Sequence, residues 1–311
     1  MEKLVLLKDR IWFVTLKYYT RFLVYFRLQR PRNIDWKHEV GLLSFTKNEG
    51  TFILEWLIYH IKVVKVDHII LVDNNQVLSD YSFLTEELKA HVTISHDSTP
   101  FIGVGTQVRL INKYFKSYSK DFKWLGVIDT DEFIFFPNGN ELNFSLKAYL
   151  SIHKSVNIHF FYWRFYGPAD REKFNWTKSI INSSESRAFE GYPPHSQFKS
   201  VVRTDSFFRY YGGPHEPILI GDKRVSVDSG FLHHYFYRTE DFFKEKIVRR
   251  KESFGYRRDS FDFHENIKRC SELRDVDDNF IGFKDLFNKI WIDYPLDSCK
   301  EESSTMLGKT S

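Results

Sequence analysis

Cysteine is nearly missing from this sequence: Cys270 and Cys299 are the only two in 311 residues. They make neither a disulfide framework nor a zinc site, which needs more ligands at closer spacing. A reducing compartment is the simplest reading of such thiol usage. Alanine occurs only at Ala90, Ala148, Ala169 and Ala188. Charge of one sign is also missing. Lys and Arg total 45 against 41 Asp and Glu, a net charge of +4 that does not argue for a nucleic-acid partner. No uncharged apolar run approaches the roughly 20 residues that cross a bilayer, and no signal-peptide pattern is present. Without a secretory signal, the sequons at Asn143, Asn175 and Asn182 carry no weight. The phosphate-cradling G-x-x-x-x-G-K-[ST] loop is absent too, which argues against P-loop chemistry, and no convincing Ser-His-Asp constellation stands out.

What remains is an ordinary folded composition, 42% hydrophobic and 28% charged, with an unusual load of 31 Phe and 17 Tyr. The length suffices for one large domain or two modest ones with a buried core. Residues 1–32 stand apart. Eight basic side chains (Lys3, Lys8, Arg10, Lys17, Arg21, Arg27, Arg30, Arg32) face two acidic ones (Glu2, Asp9) among apolar and aromatic residues. On a helix, Lys3, Arg10, Lys17 and Arg21 form one stripe, the pattern of a helix lying on an anionic membrane surface. A helix packed on the main domain with that stripe in water is the alternative.

From Glu39 onward, short buried-strand runs alternate with helical spacing. Val40–Phe45, His68–Val72, Val92–Ser95 and Trp124–Ile128 read as strands. Phe52, Ile53, Trp56, Leu57 and His60, then Tyr81–Ala90 and Thr106–Tyr118, read as helices. This alternation predicts an α/β fold with a mostly parallel sheet covered on both faces, whose ligands bind beyond the carboxyl ends of the strands. Three of the four strands end in polar clusters: Lys47–Glu49, Asp73–Asn75 and Asp129–Glu132. All three belong at one rim. Beyond Phe135 the chain mixes strands and loops, with an aromatic β-prone run over Val156–Tyr166, a loop at Gly212-Gly213-Pro214 and helical spacing over Thr239–Lys251. The tail from Glu301 is polar and reads as disordered.

Asp129-Thr130-Asp131 is the strongest chemical feature. A strand that releases carboxylates at i and i+2 aims both at the same rim, and hard oxygens suit Mg²⁺ or Mn²⁺ bridging a diphosphate. D-x-D alone recurs by chance in acidic loops, so its place directly after Trp124–Ile128 is what gives it meaning. The surrounding motifs agree in order. Lys47-Asn48-Glu49 with Glu55-Trp56-Leu57-Ile58-Tyr59-His60, then Val72-Asp73-Asn74 and Asp129-Thr130-Asp131-Glu132-Phe133, come first. Trp163–Gly167, Phe198–Arg203 and His234–Thr239 with Lys246 follow. Over about residues 40–250 this series resembles the GT-A glycosyltransferases of family 2 and the related family 92.

That resemblance implies a GT-A-like fold and transfer of a sugar from a nucleotide-sugar, UDP-linked by preference, to a saccharide or lipid-linked saccharide with inversion. It implies that Lys47, Asn48, Glu49 and Asp73 surround base and ribose. Asp129 and Lys199 join the nucleotide-sugar site, while Asp129, Asp131 and His234 hold Mn²⁺ or Mg²⁺. Two departures stand out: the turn from Asn74 to Asp80 is longer than the family's, which leaves Asp80 without a clear role, and His233 beside His234 offers a second candidate ligand. The general base stays open among Glu216, His215 and Asp170, with Glu132 a further contender that could instead serve the metal carboxylates through a hydrogen bond. Trp56, Phe52 and His60 read as core, as does most of the aromatic run at 160–166.

The organisation expected is a basic amphipathic segment at 1–38, a catalytic domain at 39–255 with a nucleotide-sugar half (39–136) and an acceptor half (137–255), and an extension at 256–311. Cysteine usage, the missing signal and the N-terminal stripe predict a cytoplasmic enzyme, peripheral at the inner face of the membrane, and surface polysaccharide assembly is the setting expected for it. Two rival readings are a sugar-nucleotide nucleotidyltransferase, which predicts a Gly-rich basic loop after the first strand, and a non-catalytic saccharide- or membrane-binding protein with the same fold.

Overall fold

The computed structural model describes residues 34–50, 52–136, 145–167, 179–183, 187–188, 192–211, 213–226, 230–238, 242–248 and 287–291. The expected N-terminal helix, Asp170, Gly212, both cysteines and the polar tail lie outside the described residues.

Four parallel strands form the N-terminal half of the sheet: β1 (His38–Thr46), β2 (His68–Asp73), β3 (Val92–His96) and β4 (Phe122–Val127). Their order is β3-β2-β1-β4, with Leu43 opposite both Ile70 and Val127. Being covered on both faces, β1 reads as a continuous buried run rather than an alternation. The sheet continues through β7 (Phe198–Arg203), β6 (Ile158–Phe165), β11 (Phe231–His234) and β5 (Glu132–Phe135), while β10 (Val225–Ser226) adds to β6. Strand β7 is antiparallel to both neighbours, β11 runs parallel to β6, and β5 pairs antiparallel with β11 at the edge. A separate pair, β8 (Phe207–Tyr210) and β9 (Pro217–Leu219), lies apart. The mostly parallel α/β sheet anticipated from the sequence is the one observed.

Helix α1 (Phe52–Ile58) runs into a π turn at Tyr59–Val63 and covers one face, where Trp56, Leu57, Trp124 and Leu232 are buried together. Helix α3 (Gly103–Tyr118) covers the other, sinking Ile111, Tyr114 and Phe115 against Leu43, Ile70 and Leu125. Between them α2 is only Glu86–Lys89, not the Tyr81–Ala90 helix expected. Thr85 stops it by accepting from Leu88 N as an N-cap, and Tyr81 spends its hydroxyl on Asp73 at 2.9 Å. Asp80, whose role the sequence left open, holds the same turn through Ser82 N at 2.8 Å. Residues 242–248 are helical, within the span predicted.

Because β1 to β4 are parallel, their carboxyl ends share one edge. Backbone bonds tie that edge together: Asn74 N donates to the Thr46 carbonyl at 2.8 Å, and Asp97 N to that of Asp73 at 2.9 Å.

Candidate active site

Strand β5 begins at Glu132, directly after the Asp-Thr-Asp turn, and is an edge strand, so one side of its backbone lacks a ladder partner. Helix α1 and the π turn that follows it supply one. Trp56, Tyr59 and His60 lie at i, i+3 and i+4 on one helix face. Trp56 Nε1 donates to the Glu132 carbonyl at 2.8 Å, the Tyr59 hydroxyl donates to that of Ile134, and Ile134 N donates to His60 Nε2 at 3.4 Å. His60 Nδ1 faces the Trp56 carbonyl at 2.9 Å, so it carries the proton and Nε2 accepts. Burial pulls the His60 pKa down to about 3, which keeps that ring neutral. His60 is thus core, as its place on the apolar face indicated.

Glu55 of the same motif turns the other way. Its oxygens accept from Ile180 N at 2.9 Å and Ile181 N at 3.1 Å, so its carboxylate fixes the backbone at the start of α4 (Ile180–Ser183).

The acidic turn is closed by Asp129 N donating to Glu132 Oε2 at 2.8 Å and Glu132 N donating to the Asp129 carbonyl at 3.1 Å. Each acid then meets a cation. Lys199, 1% exposed on β7, sits 2.8 Å from Asp129 and 3.7 Å from Glu132. Asp131 Oδ2 faces His234 Nε2 at 3.2 Å and also contacts the Lys246 ammonium. Arg238, buried and stacked between Phe52 and Phe242, spans Glu49 at 2.5 Å and the Thr130 carbonyl at 2.7 Å. It thereby ties the loop after β1 to the middle of the Asp-Thr-Asp turn.

These neighbours set the protonation states. Burial raises the Asp131 carboxyl, but Lys246 and His234 overcome it and hold it well below the usual range. For Asp129, burial is likewise outweighed, chiefly by Lys199. Glu132 is fully enclosed, and burial wins there despite Lys199, pushing its pKa well above normal. Burial lowers His234, with Asp131 opposing.

A cavity of about 170 Å³ opens at this rim, lined by Lys47, Glu49, Asp129, Thr130, Asp131, His234 and Lys246 on its polar side. Phe45, Phe101, Gln107 and Ile111 line the remainder with Val127 and Ile128. The structure therefore brings together Lys47, Glu49, Asp129, Asp131 and His234, all named from the sequence. His234 rather than His233 turns inward; His233 stacks on Phe135 and lies 3.3 Å from the Tyr166 hydroxyl.

Other candidates sit elsewhere. Asp73, expected to accept from ribose or base, is fully buried and accepts from Asn75 N, Ser79 N and the Tyr81 hydroxyl. The longer turn after β2 consumes it. Asn48 bonds Asn75 through its backbone and Glu245 through its amide, outside the cavity lining. Lys199 stands behind Asp129 rather than facing the cavity. Glu216 is 53% exposed and paired with Lys223. His215 packs edge-on to Trp163, whose ring lies 4.6 Å from that of His234. Phe101, Gln107, Arg238 and Lys246 were missed as site residues. The end of β3 was the one strand terminus without an acidic cluster, and following it to the same rim would have exposed Phe101 and Gln107.

A profile of glycosyltransferase family 92 matches residues 45–270. Family 92 proteins of Ricinus communis and Arabidopsis thaliana are each 24% identical over 68% and 69% of this chain. One from Oryza sativa subsp. japonica is 25% identical over 70%. The chain spans less than two fifths of the length of these relatives, 38%, 38% and 37% respectively. Among solved structures, 4-diphosphocytidyl-2C-methyl-D-erythritol synthase from Anaerococcus prevotii is similar at 12% identity and TM-score 0.34, over 68% of this chain and 94% of that one. Mannosyltransferase PcManGT from Pyrobaculum calidifontis, in complex with GDP-Man and Mn²⁺, is similar at 10% and TM-score 0.32, over 97% of this chain and 86% of that one.

Proposed function

The chain belongs to glycosyltransferase family 92, and from that premise we propose that it transfers a sugar from a nucleotide-sugar to a hydroxyl of a saccharide or lipid-linked saccharide. The observation that carries the proposal is the rim cavity, where Asp129, Asp131, His234 and the cations Lys47 and Lys246 converge beside Phe45, Phe101 and Gln107. Anionic phosphates and a planar base need that division of charged and apolar surface. A nucleotidyltransferase predicts a Gly-rich basic loop after β1, whereas the loop here is short and its Glu49 is tied to Arg238.

A divalent ion fits the donor set. Carboxylate oxygens and an imidazole nitrogen are ligands that Mn²⁺ or Mg²⁺ accepts, and Asp131 with His234 already shares the cavity that Asp129 lines. Among the described residues, no three His, Cys, Asp or Glu side chains stand close enough to hold a metal as they are, because each acid faces a lysine. Once Lys246 yields, Asp131 and His234 would hold it together with Asp129. Bound there, the ion supplies a Lewis acid for the charge on the departing diphosphate.

The general base is best filled by His215. Its Nδ1 stands 2.7 Å from the Phe198 carbonyl and so carries the proton, leaving Nε2 its lone pair. Burial, helped by Lys199, lowers its pKa and keeps the ring neutral near pH 7. His215 Nε2 takes the acceptor's proton as the acceptor oxygen bonds the anomeric carbon and the bond to the diphosphate breaks, inverting that centre. Glu216, engaged by Lys223, is the weaker contender on geometry. Among the described residues no helix is long and apolar enough to cross a membrane. The membrane-surface reading rests on the basic stripe within residues 1–32, which lie outside the described residues.

The test is calorimetric binding of UDP with and without Mn²⁺, on the wild type and on Asp131→Ala. Metal-dependent binding that the variant loses supports the donor site. Failure of UDP, GDP, CMP and dTDP alike removes it and favours a binding protein of the same fold. His215→Asn keeps UDP affinity and loses about 10²–10⁴-fold in turnover if it is the base.

A further inference from the structure

The two rim aspartates carry counter-ions of different character. Lys199 is locked: it is 1% exposed, belongs to a central strand, and serves Asp129 and Glu132 together. Lys246 sits on the helix at 242–248, 18% exposed, with its ammonium on Asp131 and 4.1 Å from the Phe236 ring centroid. It also lines the cavity directly. Asp131 Oδ2 therefore has the Lys246 ammonium and His234 Nε2 on one oxygen, inside a buried site. A divalent cation drawn to that carboxylate meets the ammonium as a competitor, since like charges in a poorly solvated pocket repel strongly. A four-carbon side chain lets an ammonium change partners without moving its backbone.

We infer that Lys246 is an exchangeable counter-ion: it neutralises Asp131 while the cavity lacks donor, and moves onto diphosphate oxygens when a divalent ion and a nucleoside diphosphate enter together. The inference rests on the donor-site reading above and adds to it a coupling between the two ligands. A metal arriving alone must displace Lys246 and leave that ammonium without its carboxylate. Arriving with a diphosphate, it gives Lys246 a new anionic partner. The exchange keeps Asp131 compensated in the empty chain, where an unpaired buried carboxylate is costly. It also makes metal and nucleotide each strengthen the other's binding.

The sign of the prediction separates this from a structural role. In the full chain, Lys246→Met binds Mn²⁺ alone about tenfold more tightly than the wild type, because the resident competitor is gone. At saturating Mn²⁺ the same variant binds UDP about ten- to a hundredfold more weakly, the loss of one charge-assisted hydrogen bond to phosphate. Lys246→Arg stays near the wild type in both. Mn²⁺ binding is read by paramagnetic resonance of the free ion and UDP binding by calorimetry, with thermal melting confirming the fold. If Lys246→Met fails to fold, Lys246→Gln takes its place in both titrations. Weakening of both ligands shows a lysine that merely holds the turn, and no change in either shows a bystander; both results overturn the exchange while leaving the donor site standing. A wild type that binds neither Mn²⁺ nor any nucleoside diphosphate removes the donor-site reading, and the exchange with it.

Discussion

Glu55 offers a sharp test of how the motif helix is built. It is 3% exposed, and its two oxygens each accept one backbone N–H, from Ile180 and Ile181. Burial raises its pKa from 4.5 to about 7 against those two bonds, the nearby Arg238 charge and the Ser179 hydroxyl. The folded chain therefore binds more protons than the unfolded one between these values. Stability falls as pH rises from 4.5 to about 7 and levels off above. At about 1.4 kcal/mol per pH unit, the total is about 3 kcal/mol. Glu55→Gln removes the ionisation, but its amide offers one oxygen where the carboxylate offers two. One N–H loses its acceptor, at a cost of about 1–3 kcal/mol at every pH. The variant is then the less stable protein at pH 5, and the difference shifts in its favour by about 3 kcal/mol by pH 8. Urea unfolding of both proteins at pH 5, 6, 7 and 8 measures this directly. A gap that stays constant across the series would show that Glu55 titrates normally and would refute the reasoning.

Other substitutions probe the same region. Lys199→Met takes from Asp129 the ammonium that holds it ionised, and costs about 1–3 kcal/mol of stability in urea unfolding. Arg238→Lys cannot span both Glu49 and the Thr130 carbonyl; the chain still folds, and metal-dependent UDP affinity falls about tenfold in calorimetry. Gly230→Ala meets a φ of +110° and places Cβ 2.4 Å from the Phe135 carbonyl oxygen. Strand β11 must shift away from β5, so stability falls by about 2 kcal/mol or more, with loss of the His234 position visible as weaker Mn²⁺ binding.

Much of the parallel half of the sheet was legible because its signals are local. Unbroken apolar runs such as Val40–Phe45 and His68–Val72 mark strands buried on both faces, and parallel strands send all their carboxyl ends to one rim. Asp129 and Asp131 were readable for that reason, and so was His60 as a core residue on the face of Trp56. The helix expected at Tyr81–Ala90 failed because spacing alone gave no warning of the Thr85 cap or of Tyr81 turning to Asp73. Asp73 and Glu216 looked available in the sequence, yet one is consumed by its own turn and the other by Lys223.

The sequence by itself determined the α/β pattern, the rim to which the acids belong and the family series that joins them, since each depends on residues within a few positions of one another. Only the tertiary structure decided which cation meets which acid. Lys199 is 70 residues from Asp129, and Lys246 is 115 from Asp131. Those meetings follow from the strand order β4-β7-β6-β11-β5 and from the docking of the helix at 242–248. Periodicity along a chain carries the face of each element, but a charge's partner is set by which elements pack side by side, and that depends on burying the whole sheet at once.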